Sequence, residues 1–222
     1  MSPAEMLERL AADEMRAALG NAVIGREIIV LDQTSSTNDA ILQIATPNSG
    51  EGLVLFAEHQ TAGRGQRGNR WESAAAKGLW FSILLRPGIE INRSPLLTAW
   101  AAKTISRVIE DEFSLKTTTK LPNDVQIDGR KVAGVLVEMR AQEQAPHLAI
   151  IGMGINVNQT LEDFPKELRS RAISLAIALD RQVDRQEFVI VLLRNLDRSY
   201  SENFGGTSSR LLDARSDGEA AN

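Results

Sequence analysis

Apolar residues along this chain recur with two periods, and the change from one to the other marks out the elements. Over residues 5–19, Met6, Leu7, Leu10, Met15 and Leu19 fall at roughly helical spacing with charges between them, which predicts an amphipathic helix ended by Gly20. Residues 27–31 are a short β-branched run and read as a strand. A helix follows to about residue 45, capped by Ser36 or Thr37. Residues 53–58 and 79–85 read as strands, the second stopped by Pro87-Gly88. Ser94-Pro95 is a strong helix start, and Leu97, Ala101, Ile105 and Val108 trace one face as far as Glu112. Residues 115–120 read as a strand. Asp128-Gly129 between the apolar runs 125–127 and 131–139 is a two-residue hairpin signal. Residues 147–157 form an apolar strand broken by Gly152 and Gly154, residues 165–179 and 185–203 read as helices, and the polar segment 205–222 reads as a loose tail. Strands outnumber helices, and hairpins mix with longer helical connections. The fold class this predicts is α+β, a mixed central β-sheet flanked by helices, without a regular βαβ succession.

Composition narrows the classes. With 222 residues, 43% of them hydrophobic, the chain can bury one large core. A net charge of −4 supplies no general basic field for nucleic acid. The absence of cysteine excludes disulfides, thiolate metal sites and cysteine nucleophiles, and is compatible with a cytoplasmic location. No apolar run is long enough to span a membrane, and the first residues lack a secretory pattern.

Positive charge is instead local. From Gln60 to Trp71 the chain reads Gln-Thr-Ala-Gly-Arg-Gly-Gln-Arg-Gly-Asn-Arg-Trp, with Gly63, Gly65 and Gly68 interleaved with Arg64, Arg67 and Arg70 and no acid among them. Backbone N–H groups freed by glycine and guanidinium forks both suit phosphate oxygens, so the stretch predicts a nucleotide or activated-acid site whose loop orders around its ligand. Gly63, Gly65 and Gly68 also spell the dinucleotide fingerprint, but no helical pattern follows, and neither do the motifs of a protein kinase.

Three further clusters carry chemistry. In Lys120-Leu121-Pro122-Asn123-Asp124, Asn123 and Asp124 are open to a plain turn or to ligand binding. The hairpin at Asp128-Gly129 folds Lys131 back near Asp124, pairing a carboxylate able to hold Mg²⁺ with an ammonium able to hold a phosphate or carboxylate oxygen. Gly152 and Gly154 in an apolar strand suggest either a bulge or something lying close against the backbone, and Asn156 and Asn158 share one face by period two. In Thr34-Ser35-Ser36-Thr37-Asn38-Asp39, helix capping accounts for one hydroxyl only. Trp71, Trp80 and Trp100 read as core or pocket wall, and His59 and His147 are given no role.

Together, in this order and spacing, Ser36-Thr37-Asn38, the stretch 60–68, Lys120–Asp124, Gly129-Arg130-Lys131-Val132-Ala133-Gly134 and Gly152–Val157 resemble biotin protein ligases over about residues 27–204. The resemblance implies a fold related to class II aminoacyl-tRNA synthetases. It implies a two-step reaction, in which biotin and Mg·ATP give biotinyl-5′-AMP and the adenylate passes to a lysine of a biotin carboxyl carrier domain. Biotin would be the substrate and ATP with Mg²⁺ the co-substrate and activator, with no tightly bound prosthetic group. Lys131, Arg64 and Arg67 would be catalytic. Ser36, Thr37, Asn38, Gln60, Gly63, Arg64, Lys131, Gly134 and Gly152 would bind biotin. Arg64, Gly65, Gln66, Arg67, Gly68, Trp71, Asn123, Lys131 and Asn156 would bind nucleotide, and Asp124 would hold the metal. DNA and membrane are not expected partners, and a homodimer is compatible with the pattern.

Three departures stand out. Gln66 and Asn69 occupy positions where many members of the family it resembles carry another arginine. Leu121 replaces the usual tryptophan before Pro122. The expected division is a catalytic domain over 1–204 and a tail over 205–222, without the family's small C-terminal β-domain or a preceding helix-turn-helix module. Two other readings stay open: a degenerate paralogue that binds biotin or its adenylate with weak transfer, and a lipoate ligase of the same superfamily.

Overall fold

In the computed structural model, which describes residues 9–46, 49–142 and 146–205, seven strands form one sheet. They are β1 (Glu27–Thr34), β2 (Leu53–Gln60), β3 (Gly78–Leu85), β4 (Thr118–Lys120), β5 (Asp124–Ile127), β6 (Arg130–Arg140) and β7 (Leu148–Asn156). Their order is β1-β2-β3-β7-β6-β5-β4, with β1 and β2 parallel and every other neighbour antiparallel. The helices are α1 (Ala12–Leu19), α2 (Thr37–Ile44), α3 (Ser94–Phe113), α4 (Leu175–Leu179) and α5 (Arg185–Phe204). The expected α+β class with a mixed sheet is the one observed.

The period of two along each strand divides the side chains between two faces. Val54 and Phe56 of β2, Phe81 and Ile83 of β3, and Ile151 and Met153 of β7 join α1, α3 and α5 in one large buried cluster. The alternate residues Leu53, Leu55, Leu84, Leu148 and Ile150 pack under α2 in a smaller one. On that second face the apolar cover then stops. Register aligns Trp80, Gly154 and Gly134 across β3, β7 and β6, and places Ser82, Gly152 and Leu136 in the adjacent row. Small residues in two neighbouring rows leave a depression beside the N-terminus of α2.

The hairpin expected at Asp128-Gly129 joins β5 to β6, with both residues at positive φ (50° and 73°) as a primed two-residue turn requires. Several boundaries differ from the sequence reading. Only Leu175–Leu179 of the expected helix 165–179 is helical. The segment before it ends in the sheet: Ala172 N–H closes one turn on Leu168 O (2.8 Å), but Lys131 N–H donates to Arg171 O (2.7 Å) and Ile173 N–H to Lys131 O (3.0 Å), so those two main-chain groups do not carry the turn on as a helix. Residues 115–117 are not strand, because Thr117 N–H bonds the Glu110 carboxylate at the end of α3. Of the helix expected over 5–19, residues 12–19 are helical and 9–11 are not, Leu10 N–H being taken by Glu58 Oε1 at 2.9 Å; residues 1–8 lie outside those described, as does the tail from 206.

Candidate functional site

The glycine-rich stretch is a hairpin laid over the depression. Trp71 N–H donates to Gly63 O (2.8 Å) and Gly65 N–H to Asn69 O (2.7 Å), while Arg67 and Gly68 turn the tip at φ 57° and 77°. No α-helix follows, so the dinucleotide fingerprint lacks the helix N-terminus that gives it meaning. Beyond the hairpin, Lys77 Nζ holds Asp163 Oδ2 at 2.6 Å. Partial burial raises the Asp163 carboxyl, but Lys77 and the Thr160 N–H and hydroxyl outweigh it, and its pKa falls below the usual carboxylate value.

At one end of the depression the N-terminus of α2 builds a neutral polar cradle. Thr37 N–H donates to Gln60 Oε1 at 2.8 Å, and Ser82 Oγ donates to Asn38 Oδ1 at 2.6 Å. Ser36 occupies the cap position, yet its hydroxyl makes no cap bond and has no hydrogen-bond partner among the described residues. It is 3% exposed and lines the cleft. The capping explanation of this serine therefore fails, and its hydroxyl is left for a ligand.

At the other end stands Lys131. Its main chain is gripped between the 171–173 segment and the Asn156 amide, which donates to Lys131 O (3.3 Å) and Ile173 O (3.1 Å). Its ammonium lies 2.7 Å from Asp124 Oδ1 and 5.0 Å above the Trp71 ring. Trp71 rests on the glycine floor: a Cβ at 154 would stand 2.4 Å from its ring, and one at 134 would stand 2.9 Å from it. A Cβ at 152 would stand 2.2 Å from Asn38 Oδ1. The strand glycines are therefore needed for close approach and not for a bulge. The cleft between the cradle, the hairpin and Lys131 holds about 30 Å³, room for a water-sized body.

Of the residues singled out by sequence, Ser36, Thr37, Asn38, Gln60, Arg64, Gly65, Trp71, Asn123, Lys131, Gly134 and Gly152 line this cleft. Asp124 and Asn156 line an adjoining one that shares Trp71 and Lys131. Gly63 lines neither and serves the hairpin, since a Cβ there would meet Trp71 O at 2.6 Å. Gln66, Arg67 and Gly68 form the tip and also line neither, and Arg67 makes no hydrogen bond or ion pair among the described residues. Asn158 parts from Asn156: β7 ends at Asn156, and the Asn158 amide bonds Val183 in both directions (2.8 and 2.9 Å). Sequence reasoning missed Glu138, Ser82 and Arg171, and named Arg70 in the glycine-rich stretch without giving it a site role. Ser82 and Glu138 meet Asn38, while Arg70 and Arg171 add cations to the adjoining cleft. Only Glu138 left a signal, as the lone acid of an otherwise apolar and basic strand.

Arg64, expected to screen charge, is already engaged. Its guanidinium meets Asp39 Oδ1 at 2.7 Å and Glu138 Oε2 at 2.7 Å, with Nη1 3.2 Å from Glu138 Oε1. For Mg²⁺, the described residues contain no group of three or more histidine, cysteine or acidic side chains. Asp124 alone therefore fits an ion that keeps water and phosphate oxygens as its other ligands. No described helix is long and apolar enough to cross a membrane.

Fold and cleft together define an α+β domain that carries a small-ligand site on one sheet face, between a neutral polar cradle and a lysine. Within that class the family is shown. The chain belongs to the Biotin/lipoate A/B protein ligase family, which residues 30–156 match. It is 38% identical over 206 residues to the bifunctional ligase/repressor BirA of Bacillus subtilis, covering 92% of this chain and 63% of that protein. It is 32% identical over 181 residues to the biotin–[acetyl-CoA-carboxylase] ligase of Mycobacterium tuberculosis, covering 78% of this chain and again 63% of the relative. The chain thus spans less than two thirds of the length of these curated relatives. Among solved structures, the biotin protein ligase of Aquifex aeolicus in complex with biotin and ATP superimposes with a TM-score of 0.69 at 29% identity, over 85% of this chain and 76% of that one. The mixed sheet is that of biotin protein ligases, the class II aminoacyl-tRNA synthetase-like fold.

Proposed function

We propose that this chain ligates biotin to a lysine of a biotin carboxyl carrier domain through biotinyl-5′-AMP, using Mg·ATP, and that residues 1–204 form the catalytic unit. The observation that carries the reading is the polarity of the cleft. A neutral cradle with the unspent Ser36 hydroxyl suits an uncharged ureido ring, and Lys131 at the far end suits the carboxylate of the same molecule and the α-phosphate it attacks. When the carboxylate oxygen bonds to the α-phosphorus, pyrophosphate leaves. Lys131 screens the repulsion between the two anions and stabilises the charge of the transition state. Asp124 would hold the Mg²⁺ that neutralises the phosphates. The hairpin closes over the mixed anhydride and keeps water from it until the carrier lysine attacks.

The test is to incubate the protein with biotin, Mg·ATP and a biotin carboxyl carrier domain and to weigh the carrier. A biotin-sized mass increase on its acceptor lysine is expected. Adenylate without transfer would favour the degenerate binder, and modification with lipoate but not biotin would favour the sister reading.

Two further results are expected from the hairpin. Trypsin should cut after the exposed Arg67 faster than after the ion-paired Arg64. Biotin with ATP should slow both cuts by about fivefold or more, the effect of roughly 1 kcal/mol of ordering. Equal cleavage with and without ligands would contradict closure. Gln66→Arg at the tip should reduce escape of the adenylate, read as biotin on bystander lysines, by about tenfold, since a charge-assisted hydrogen bond contributes about 1.5–3 kcal/mol in a dry site. If the native chain labels bystanders no more than this variant at matched carrier turnover, retention does not depend on residue 66.

A further inference from the structure

One carboxylate of the sheet meets both the N-terminal turn of α2 and the hairpin. On the cleft face of β6, alternate positions place Gly134, Leu136 and Glu138 in a row, and Glu138 is the only acid of that strand. Glu138 Oε2 accepts from Asn38 Nδ2 at 2.7 Å and from Arg64 Nη2 at 2.7 Å, while Oε1 takes Arg64 Nη1 at 3.2 Å. The Glu138 carboxylate only accepts, so it fixes the Asn38 amide with Nδ2 toward itself and Oδ1 toward the Ser82 hydroxyl of β3 at 2.6 Å. Its position against Gly152 of β7 depends on that residue having no Cβ.

Arg64 stands on the first arm of the hairpin, and the carboxylates that face its guanidinium are Glu138 and Asp39. One positive charge thus meets two negative ones, so Arg64 brings no spare positive charge to an approaching acid. Its value is mechanical. Arg70 on the other arm of the hairpin bonds Thr61 O and Glu72, within or beside the loop itself. Arg64 is the guanidinium that ties the hairpin to the sheet, and Glu138 is the sheet's end of the tie.

We propose that Glu138 is a positioning residue: it clasps Arg64 and the Asn38 amide together, and so sets both how firmly the hairpin closes over the cleft and where the cradle stands. The clasp is a property of the fold; its effect on biotin rests on the ligation reading above. Because the hairpin closes over the bound ligand in that reading, the strength of this tie controls the balance between open and closed hairpin, and a weaker tie disfavours the ligand-bound state.

The experiment has two arms on the full chain. The first is amide hydrogen exchange without ligand. Glu138→Gln keeps an acceptor for Asn38 but removes the negative charge that faces Arg64. It should exchange residues 61–71 about tenfold faster than the native chain, with α5 unchanged. Asp39→Asn, which loses a more exposed contact, should do so by a smaller factor in the same segment. Unchanged exchange over 61–71, or equal acceleration in α5, overturns the clasp. The second arm is biotin affinity by calorimetry in a double-mutant cycle. Glu138→Gln should weaken binding about fivefold to tenfold in the native background and have little effect beside Arg64→Ala. An equal loss in both backgrounds would show that the carboxylate acts on the cradle or on folding and not through Arg64, and overturns the proposal. A native chain that binds no biotin would sink the ligation reading alone, and the exchange arm would still decide the clasp.

Discussion

Replacing Lys131 with alanine is expected to slow biotin-dependent ATP–pyrophosphate exchange by about 10²–10³-fold, the usual loss for one preorganised donor at a developing charge. Among the described residues no other cation stands in both clefts, since Arg70, Lys120 and Arg171 line only the adjoining one. Arg64 is matched by Asp39 and Glu138, Arg67 lies at the hairpin tip, and Lys131 is the ammonium that lines both the cradle cleft and the adjoining one. Its main chain is fixed on three sides, by Arg171 O, Ile173 N–H and the Asn156 amide. Truncating the side chain should therefore leave the strand in place, and the melting temperature should move little. Lys131→Arg should recover only part of the rate, because a planar fork replaces a compact charge pinned between Asp124 and Trp71. Exchange within a few-fold of the native rate in Lys131→Ala would remove this lysine from the mechanism.

The largest loss of stability is expected far from the cleft, at Arg185. Its Nη1 lies 2.8 Å from Glu58 Oε2 and 3.0 Å from Gly78 O, and the two side chains are only 5% and 10% exposed. The other Glu58 oxygen accepts from Leu10 N–H, so this pair joins the start of α5, strands β2 and β3, and the segment entering α1. Arg185→Met leaves the carboxylate buried without its cation, which costs about 3–5 kcal/mol. At roughly 2–4 °C per kcal/mol for a chain of this size, thermal unfolding should shift down by about 10 °C. Adding Glu58→Gln removes the stranded charge and keeps an acceptor for Leu10. The double variant should melt above Arg185→Met alone. If it melts lower, the buried charge is not the source of the loss.

Much of this protein was legible in its sequence because local rules decided it. The I′ hairpin at Asp128-Gly129, the long α3 stripe, the α+β class and the apolar strands β2, β3 and β7 follow from turn chemistry and periodicity, which act within a few residues. The candidate site was legible as motifs for a related reason. Glycine in a strand or a run of hydroxyls conflicts with local preference, and such conflicts are found where something else is required. What lies between the motifs was not legible. Period two gave no means of knowing that Gly152 makes room for Asn38 or that Gly154 and Gly134 make room for Trp71, because register across three strands is a long-range property. Residues 165–174 carry spacing compatible with a helix, yet the exposed main chain at Lys131 recruits part of them as a sheet partner. Ser36 looks like a cap and does not cap. Arg64 looks like a free cation, yet two carboxylates meet it, one 25 residues away on α2 and one 74 residues away on β6. Sequence alone determined which residue types the cleft would contain. Only the tertiary structure decided which of them are already spent on one another and which, like the Ser36 hydroxyl, face the cleft unpaired, because hydrogen bonds and ion pairs are assigned by distance in space and not by distance along the chain.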